Sequence, residues 1–164
     1  MNDLSLLRIG IGYDCHMFVP NNYLILGGVR IPFNKGLLGH SDADVLIHAI
    51  IDSLIGAAGL GDIGNHFPDN DKKYKEISSR VLLENIRAKI HDLGYEINNI
   101  DTTLILEFPK LSNYIPQMKK KISESLLISS NKINIKAKTN EKLGWIGREE
   151  GIAAQSVALI VLKK

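Results

Sequence analysis

Residues 36–64, GLLGHSDADVLIHAIIDSLIGAAGLGDIG, decide the fold because they predict a long helix that has to be buried. Residues 45–58 are apolar on nearly every side of that helix, and such a helix lies in the interior of a protein. Ser41 is the predicted N-cap, with Asp44 at the third helical position of a capping-box variant. Residues 59–71 are dense in Gly, Asn and Asp and predict a long ordered loop, a place where binding residues often gather.

The rest of the chain alternates between strand and helix patterns. Strands are predicted at residues 6–13 and 152–162, with a hairpin at residues 23–31 that turns at Gly27 and Gly28. Residues 99–107, 113–127 and 133–139 predict a strand, a helix and a strand, which would form a parallel pair with a right-handed crossover.

One further helix begins at Ser78 or Ser79 and ends at Gly94. The residues on its apolar face are Leu82, Leu83, Ile86, Ile90 and Leu93. Together these elements predict an α/β fold, a sandwich of helices on a mixed β-sheet. We expect a single domain over residues 1–164.

Three polar residues predict a metal site. Asp14 and His16 lie some thirty residues before His48, which sits inside the apolar helix. If residues 14–16 are extended, Asp14 and His16 leave the same face of the backbone while Cys15 points away. One carboxylate and two imidazoles are a usual ligand set for zinc in an open site, where a fourth position remains for water or substrate.

An inert core histidine is the alternative interpretation of His48. The close spacing of Asp14 and His16 favours a ligand, and so do carboxylates at helical spacing from His48, since Asp44 precedes it by four residues and Asp52 follows by four. We expect Asp52 to accept the second ring N–H of His48. Cys15 is expected to pack, although it would become a fourth ligand if it turned inward.

Composition excludes several classes of function. The chain has 164 residues, 45% hydrophobic content and a formal charge of +2, without the dense basic stripe of a nucleic-acid binder. No stretch resembles a signal peptide or a bilayer span, so we expect a cytoplasmic protein. A single cysteine forms no internal disulfide, which fits a reducing compartment.

Polar clusters recur at the ends of predicted elements, and each alone is typical of a solvated turn. Taken together, their acidic residues suit cations, and their basic residues and helix N-terminal amides suit anions, which favours a ligand that carries phosphates. The clusters are His40-Ser41, residues 62–71, Pro109-Lys110, residues 139–142 and Gly147-Arg148.

An ordered set of motifs extends over nearly the whole chain: GYDCH at 12–16, GGVRIP at 27–32, the segment 36–64, HFPDND at 66–71, FPK at 108–110 and TNEKLGWIGREEGIA at 139–153. In these motifs the chain closely resembles the 2-C-methyl-D-erythritol 2,4-cyclodiphosphate synthases of the non-mevalonate isoprenoid pathway. It departs from their pattern at Leu106, where alanine occurs, and at Lys138, where a small polar residue is frequent.

The resemblance implies a homotrimer with active sites between subunits. It implies Zn²⁺ at Asp14, His16 and His48, a second divalent cation, Mg²⁺ or Mn²⁺, at Glu141, and catalytic roles for His40 and Thr139. The implied contacts to the methylerythritol phosphate are Asp62, Ile63, Gly64, Phe67, Pro68, Asp69, Asn70 and Asp71. Those to the cytidine diphosphate are Leu106, Pro109, Lys110, Leu111, Ser112, Lys138, Thr139, Asn140 and Glu141. Further substrate contacts are implied at Asp14, His16, His40, Ser41, Trp145 and Arg148.

The implied reaction converts 4-CDP-2-C-methyl-D-erythritol 2-phosphate to the 2,4-cyclodiphosphate and CMP by intramolecular phosphoryl transfer. One alternative is a zinc hydrolase of a nucleotide diphosphate linkage, with Asp52 or Asp44 as the base. Another is a non-catalytic module with structural zinc, which would need a fourth protein ligand.

Overall fold

The computed structural model describes residues 6–68, 70–74 and 76–163. Its strands are β1 (Leu7–Pro20), β2 (Leu24–Leu26), β3 (Val29–Ile31), β4 (Lys35–Leu37), β5 (Tyr95–Ile105), β6 (Ile133–Lys138) and β7 (Gly151–Leu162). Its α-helices are α1 (Val45–Ala58), α2 (Ile63–His66), α3 (Ser79–Asp92), α4 (Ile115–Leu126) and α5 (Gly144–Gly147). Short 3₁₀ turns lie at Lys72–Tyr74 and Ser130–Lys132.

Five strands form a mixed sheet in the order β4-β1-β7-β5-β6. The long apolar strand β7 is in its centre and pairs antiparallel with both β1 and β5, while β5 and β6 are parallel and connected through α4. The predicted α/β fold with a mixed sheet is therefore confirmed. Strands β2 and β3 form the predicted hairpin as a separate pair.

Helix α1 packs directly on β1 because two glycines clear space for it. A Cβ atom on Gly10 would lie 2.0 Å from the Ser53 carbonyl oxygen, and one on Gly12 would lie 2.0 Å from that of Ala49. The strand predicted at residues 6–13 is longer in the structure, since β1 continues through both glycines to Pro20. This close contact brings His48, the residue directly before Ala49, over the segment with Asp14 and His16.

The start of α1 differs from the prediction. Asp44, not Ser41, is the N-cap, and its carboxylate accepts hydrogen bonds from the backbone N–H groups of Ile47 at 3.1 Å, Gly27 at 2.9 Å and Gly28 at 2.6 Å. The predicted capping box at Ser41 is wrong because these three donors gather around Asp44. Asp44 is fully buried and ties the turn between β2 and β3 to the helix.

Helix α3 has the predicted apolar face except at its end. Leu82, Leu83, Ile86 and Ile90 are buried, whereas Leu93 is exposed because the helix ends at Asp92. The loop predicted at residues 59–71 contains the short helix α2. Over the described ranges, every helix is too short or too polar to cross a membrane.

The side of the sheet away from α1 carries exposed apolar residues. Ile9 is 73% exposed, Ile11 72% and Tyr13 52%, and Val157 lies beside Ile11 on β7. We call this surface, formed by Ile9, Ile11, Tyr13, Cys15 and Val157, the open sheet face. A contiguous apolar surface of this kind marks an interaction site more often than isolated exposed residues do.

Candidate metal centre

The three side chains singled out as metal ligands converge on one point. Asp14 Oδ2 lies 3.0 Å from His16 Nε2 and 3.0 Å from His48 Nδ1, and the two ring nitrogens are 3.1 Å apart. Within the described part of the chain, Asp14, His16 and His48 are the one cluster of three or more possible ligands close enough to share an ion. Strand β1 supplies two of them and α1 the third, at the contact that Gly12 permits.

The donor set fits a divalent cation such as zinc. A carboxylate oxygen and two imidazole nitrogens that face one another at about 3 Å must share a proton or a cation, because their lone pairs would otherwise repel. Cys15 is exposed on the open sheet face, so its sulfur leaves the site with three protein ligands. Three ligands with an open position are typical of a catalytic rather than a structural zinc site.

The mutual contacts shift the protonation of these groups. Burial opposes ionisation of Asp14, but hydrogen bonds and attraction from His16 and His48 outweigh it and lower the pKa of Asp14 to about 2. Burial likewise lowers the pKa of His16, but its hydrogen bond to Asp14 and the charge of that carboxylate outweigh burial and raise it. The site therefore keeps a negative charge available to a cation near neutral pH.

The second nitrogen of His48 has partners that the sequence analysis does not predict. Its Nε2 lies 2.9 Å from the Ser79 hydroxyl and 3.1 Å from the Ser41 hydroxyl. The prediction that Asp52 fills this place is wrong, because the Asp52 carboxylate instead accepts a hydrogen bond from the Ile63 N–H at 2.9 Å, at the start of α2. Ser79 is 31 residues from His48 in sequence, so no local pattern could have linked them.

A cavity of about 270 Å³ opens beside the triad. It brings together the three expected zinc ligands and three of the eight residues expected to contact the methylerythritol phosphate. The predicted residues in its lining are Asp14, His16, His40, Ser41, His48, Ile63, Gly64 and Phe67, and Asp52 also lines it.

Other residues of the 62–71 group lie outside this lining. Asp62 is the N-cap of α2 and accepts from the Asn65 N–H, and Asp71 accepts from the Lys73 N–H. Pro68 and Asn70 are exposed, and Asp69 lies outside the described residues.

A second cavity of about 270 Å³ lies at the ends of β5 and β6. The residues expected to hold cytidine diphosphate that line it are Leu106, Pro109, Lys110, Leu111, Ser112, Lys138 and Thr139. Asn140 and Glu141 follow directly in the chain. Trp145, which is half-buried, and Arg148, which pairs with Glu150 at 2.7 Å, lie outside the lining.

The two cavities lie well apart along the sheet within one chain. Asp14 is in register with Ala154, Ala154 with Leu104, and Leu104 with Ala137. Three strand spacings of about 4.8 Å place the metal triad about 14 Å from the strand that precedes Thr139. A third and larger cavity, of about 630 Å³ near Arg87, Tyr95 and Leu127, contains none of the predicted site residues.

The chain matches one family model over most of its length. The model of the YgbB family aligns with residues 7–161. A protein of Clostridium acetobutylicum is 59% identical over 155 residues, which cover 94% of this chain and all of that protein. A protein of Paraburkholderia phymatum is 56% identical and covers 94% of this chain and 98% of its own length. Both are named 2-C-methyl-D-erythritol 2,4-cyclodiphosphate synthase.

Solved structures have the same fold. The bifunctional IspDF of Campylobacter jejuni matches with a TM-score of 0.93 and 42% identity, over 96% of this chain but 43% of that longer chain. IspF of Plasmodium falciparum, solved as a CDP complex, matches with a TM-score of 0.85 and 39% identity, over 96% of this chain and 97% of that one.

Proposed function

Because the chain belongs to the YgbB family, we propose that it catalyses the formation of 2-C-methyl-D-erythritol 2,4-cyclodiphosphate in the non-mevalonate isoprenoid pathway. The observation that carries this function is the convergence of Asp14, His16 and His48 at the wall of a cavity, in a chain that aligns over its length with synthases of that name. The enzyme is a lyase that closes a phosphate ring.

The reaction is a phosphoryl transfer within one molecule. In 4-CDP-2-C-methyl-D-erythritol 2-phosphate, an oxygen of the 2-phosphate attacks the β-phosphorus, and the bond from that phosphorus to CMP breaks. The attacking phosphate is already anionic, since its second pKa is about 6, and the leaving group is a phosphate. The protein therefore has no need for a nucleophile of its own, and its task is to bring two polyanionic groups together.

Asp14, His16 and His48 would hold zinc, and Glu141 a second cation, Mg²⁺ or Mn²⁺. When bound, such cations neutralise phosphate charge and polarise the phosphorus centre. The carboxylate and two imidazoles described above support zinc at the first position. Support for the second cation is the exposed carboxylate of Glu141, whose Oε1 accepts a hydrogen bond from the Thr139 hydroxyl at 2.6 Å beside the second cavity.

Each cavity would hold one end of the substrate. The cavity at the triad, with His40 and Ser41, suits the methylerythritol phosphate, and the cavity at Lys110 and Thr139 suits cytidine diphosphate. The CDP bound to the Plasmodium falciparum relative supports a cytidine nucleotide as ligand. His40 and Thr139 would stabilise the charge of the transition state, and anchoring both ends would align the reacting groups, which contributes about 7–11 kcal/mol in well-oriented intramolecular reactions.

A homotrimer would complete the site. The separation of about 14 Å between the triad and the β6 end supports pairing of the first cavity of one subunit with the second cavity of its neighbour. The open sheet face supports the same arrangement, since Ile9 and Ile11 are each more than 70% exposed in the single chain. A neighbouring subunit would also exclude water, which would otherwise compete with cyclisation by hydrolysing the same phosphorus.

Of the two bases considered for a zinc hydrolase, Asp44 is fully buried among backbone donors. Asp52 lines the cavity at the triad, and its Oδ1 accepts a hydrogen bond from the Ile63 N–H. Phosphorus NMR of the protein incubated with the cytidylylated 2-phosphate separates the two reactions. We expect a cyclic diphosphate together with CMP, and a linear phosphorylated product would favour the hydrolase.

A further inference from the structure

The second nitrogen of His48 contacts a serine that is itself bound by a carboxylate. Ser79 is fully buried at the first position of α3. Its hydroxyl forms a very short hydrogen bond with Asp42 Oδ1, and its backbone N–H donates to Asp42 Oδ2 at 3.0 Å. On its other side the same hydroxyl oxygen lies 2.9 Å from His48 Nε2. Asp42, Ser79 and His48 therefore form one continuous chain of hydrogen bonds that ends at the metal triad.

The number of available protons determines which group donates in each of these hydrogen bonds. An ionised carboxylate can only accept hydrogen bonds, so the single hydroxyl proton of Ser79 goes to Asp42. The Ser79 oxygen is then left as an acceptor for His48, and the hydrogen bond between them requires a proton on Nε2. In the neutral ring the other nitrogen, Nδ1, keeps its lone pair, and Nδ1 is the atom that lies 3.0 Å from Asp14 Oδ2 and 3.1 Å from His16 Nε2.

Ser41 contacts the same nitrogen without setting this direction. Its hydroxyl lies 3.1 Å from His48 Nε2, accepts from the Ala43 N–H at 3.3 Å and lies 3.4 Å from the Ser79 hydroxyl. None of these contacts is a carboxylate, so the Ser41 proton is free to point towards His48 or away from it. For the direction of the hydrogen bond, the difference between the two serines is the carboxylate behind Ser79.

We propose that Asp42 and Ser79 are positioning residues that hold His48 with its proton on Nε2, so that Nδ1 is available to the metal. The proposal rests on the metal site of the proposed function but not on the reaction. Neither residue hydrogen-bonds to the three atoms that would bind the metal. Both act through the orientation of the His48 ring and the position of its proton. Outer partners of a metal-bound histidine commonly affect metal affinity by about 10–100-fold.

Zinc affinity, measured on metal-free protein by competition with a chelator, tests the proposal. Ser79→Ala should weaken zinc binding by about 10–100-fold. Ser41→Ala, which removes the other hydroxyl at the same nitrogen, should cause a much smaller loss. Circular dichroism and thermal unfolding check that both variants remain folded. Equal losses in the two variants, or an unchanged affinity in folded Ser79→Ala, would overturn the assignment.

A double-mutant cycle tests whether Asp42 acts through Ser79. Asp42→Asn keeps an acceptor for the Ser79 backbone N–H but removes the charge that attracts the hydroxyl proton. It should weaken zinc binding in the wild-type background and have no further effect in the Ser79→Ala background. Additive losses would show that Asp42 acts on the metal site by another route.

Nitrogen-15 NMR of the zinc-loaded wild-type protein needs no variant. We expect the His48 proton on Nε2, slow to exchange with solvent, and the metal on Nδ1. A proton on Nδ1 with zinc on Nε2 would contradict the proposal even if the protein cyclises its substrate. Conversely, the expected spectrum would stand if the cyclisation test failed, so the two failures are distinguishable.

Discussion

At position 48 an imidazole projects from a helix that is otherwise almost wholly apolar, and the metal triad loses its only helical member if that ring is removed. His48→Ala should abolish tight zinc binding and lower kcat/KM by about a thousandfold or more, since metal stabilisation of phosphoryl transfer is worth several kcal/mol. The half-buried ring is not part of the apolar core, so the thermal unfolding of the metal-free variant should change little. Zinc content and phosphorus NMR measure the two effects.

His91→Ala is the matched control, because this histidine is exposed near the end of α3 and away from the triad. It should leave zinc content and turnover unchanged. If His48→Ala instead unfolded the protein, a structural role for the metal site would be favoured.

A second residue-scale prediction concerns Asp44 and pH. Burial, with the nearby charge of Asp42, raises the pKa of Asp44 to about 6 from an ordinary 3.8, although three backbone N–H groups oppose the shift. Between these values the folded protein holds a proton that the unfolded chain has released. The free energy of unfolding should therefore fall by about 3 kcal/mol from this group as pH rises from about 4 to about 6.

Urea unfolding of metal-free protein at several pH values, compared with Asp44→Asn, isolates this contribution. The variant lacks the ionisation, so the difference in unfolding free energy, wild type minus variant, should decrease over that pH range. A difference that is independent of pH would show that the backbone donors keep Asp44 ionised throughout.

The residue scale also separates what the sequence could predict from what it could not. The alternation of side chains along a strand was enough to direct Asp14 and His16 to one side and Cys15 to the other. The partner of His48 required knowledge of how α3 approaches α1, because Ser79 is distant in sequence. Helical spacing alone favoured Asp52, and the N–H of Ile63 at the start of α2 explains why that carboxylate is engaged elsewhere.

At the scale of elements, the contact between α1 and β1 determines the position of His48. Gly12→Ala would place a methyl group 2.0 Å from the Ala49 carbonyl oxygen, and neither backbone can yield without moving the helix. We expect a loss of about 1–3 kcal/mol in unfolding free energy, typical of overpacking. Zinc affinity should fall with it, because His48 directly precedes Ala49, the residue at the displaced contact.

Gly56→Ala provides a control on the same helix. A Cβ atom there would meet its nearest neighbour, the Ile11 carbonyl oxygen, at 3.7 Å, an ordinary contact. Alanine also favours helix over glycine by about 0.5–1 kcal/mol, so this variant should be as stable as the wild type or more so. Chemical unfolding and zinc titration of both variants measure the contrast, and similar losses in both would refute the role of the Gly12 contact.

The turn after β6 is held by Glu107, which was not among the predicted site residues. Glu107 Oε1 accepts from the backbone N–H groups of Asn140 at 3.0 Å and Lys142 at 3.1 Å. Glu141 and Lys142 have φ angles of 51° and 63°, a left-handed conformation that is costly for residues other than glycine. The two hydrogen bonds to Glu107 therefore help to stabilise the segment that presents Thr139 and Glu141.

Glu107→Ala should release this turn and raise the magnesium concentration needed for half-maximal activity. Glu107→Gln keeps an acceptor oxygen and should restore most of the wild-type response. Activity measured against magnesium concentration compares the two, with zinc content as a check that the triad is intact. If alanine and glutamine behave alike, the hydrogen bonds to the turn are not what Glu107 contributes.

Element types followed from sequence more readily than element ends. The parallel strands around α4 were recognisable from their periodicity, and the burial of α1 from its composition. The ends of β1 and α1 depended on tertiary contacts. Gly10 and Gly12 in β1 accommodate α1, and Asp44 at the start of α1 binds the turn between β2 and β3. Neither partner is visible within a local window of sequence.

At the scale of the whole molecule, the open sheet face is expected to mediate assembly. Ile11→Lys would place a charge at the centre of that face, which is costly if the face is covered by other subunits. Analytical ultracentrifugation should show a shift from trimer towards monomer, with loss of activity but retention of zinc.

The apolar patterning of the sequence could not predict this surface, because an apolar strand residue facing a neighbouring subunit resembles one facing the core.

Leu127→Lys is the matched control for assembly. Leu127 is 75% exposed after α4 and is not part of the open sheet face, so it offers an apolar residue of similar exposure elsewhere on the surface. This variant should remain a trimer. If both variants sediment like the wild type, or the wild type itself is a monomer, the proposed assembly is incorrect.

Strand β1 directs Asp14 and His16 towards α1. The alternate residues Tyr13 and Cys15 point to the opposite side and belong to the open sheet face. The alternation of side chains along this one strand therefore determines both the metal triad and the open sheet face. Lengthening β1 by one residue just before Asp14 would exchange the two sides, whereas lengthening it by two would return each side chain to its original side, one step further along. An insertion in this strand would therefore change the metal triad and the proposed assembly surface together.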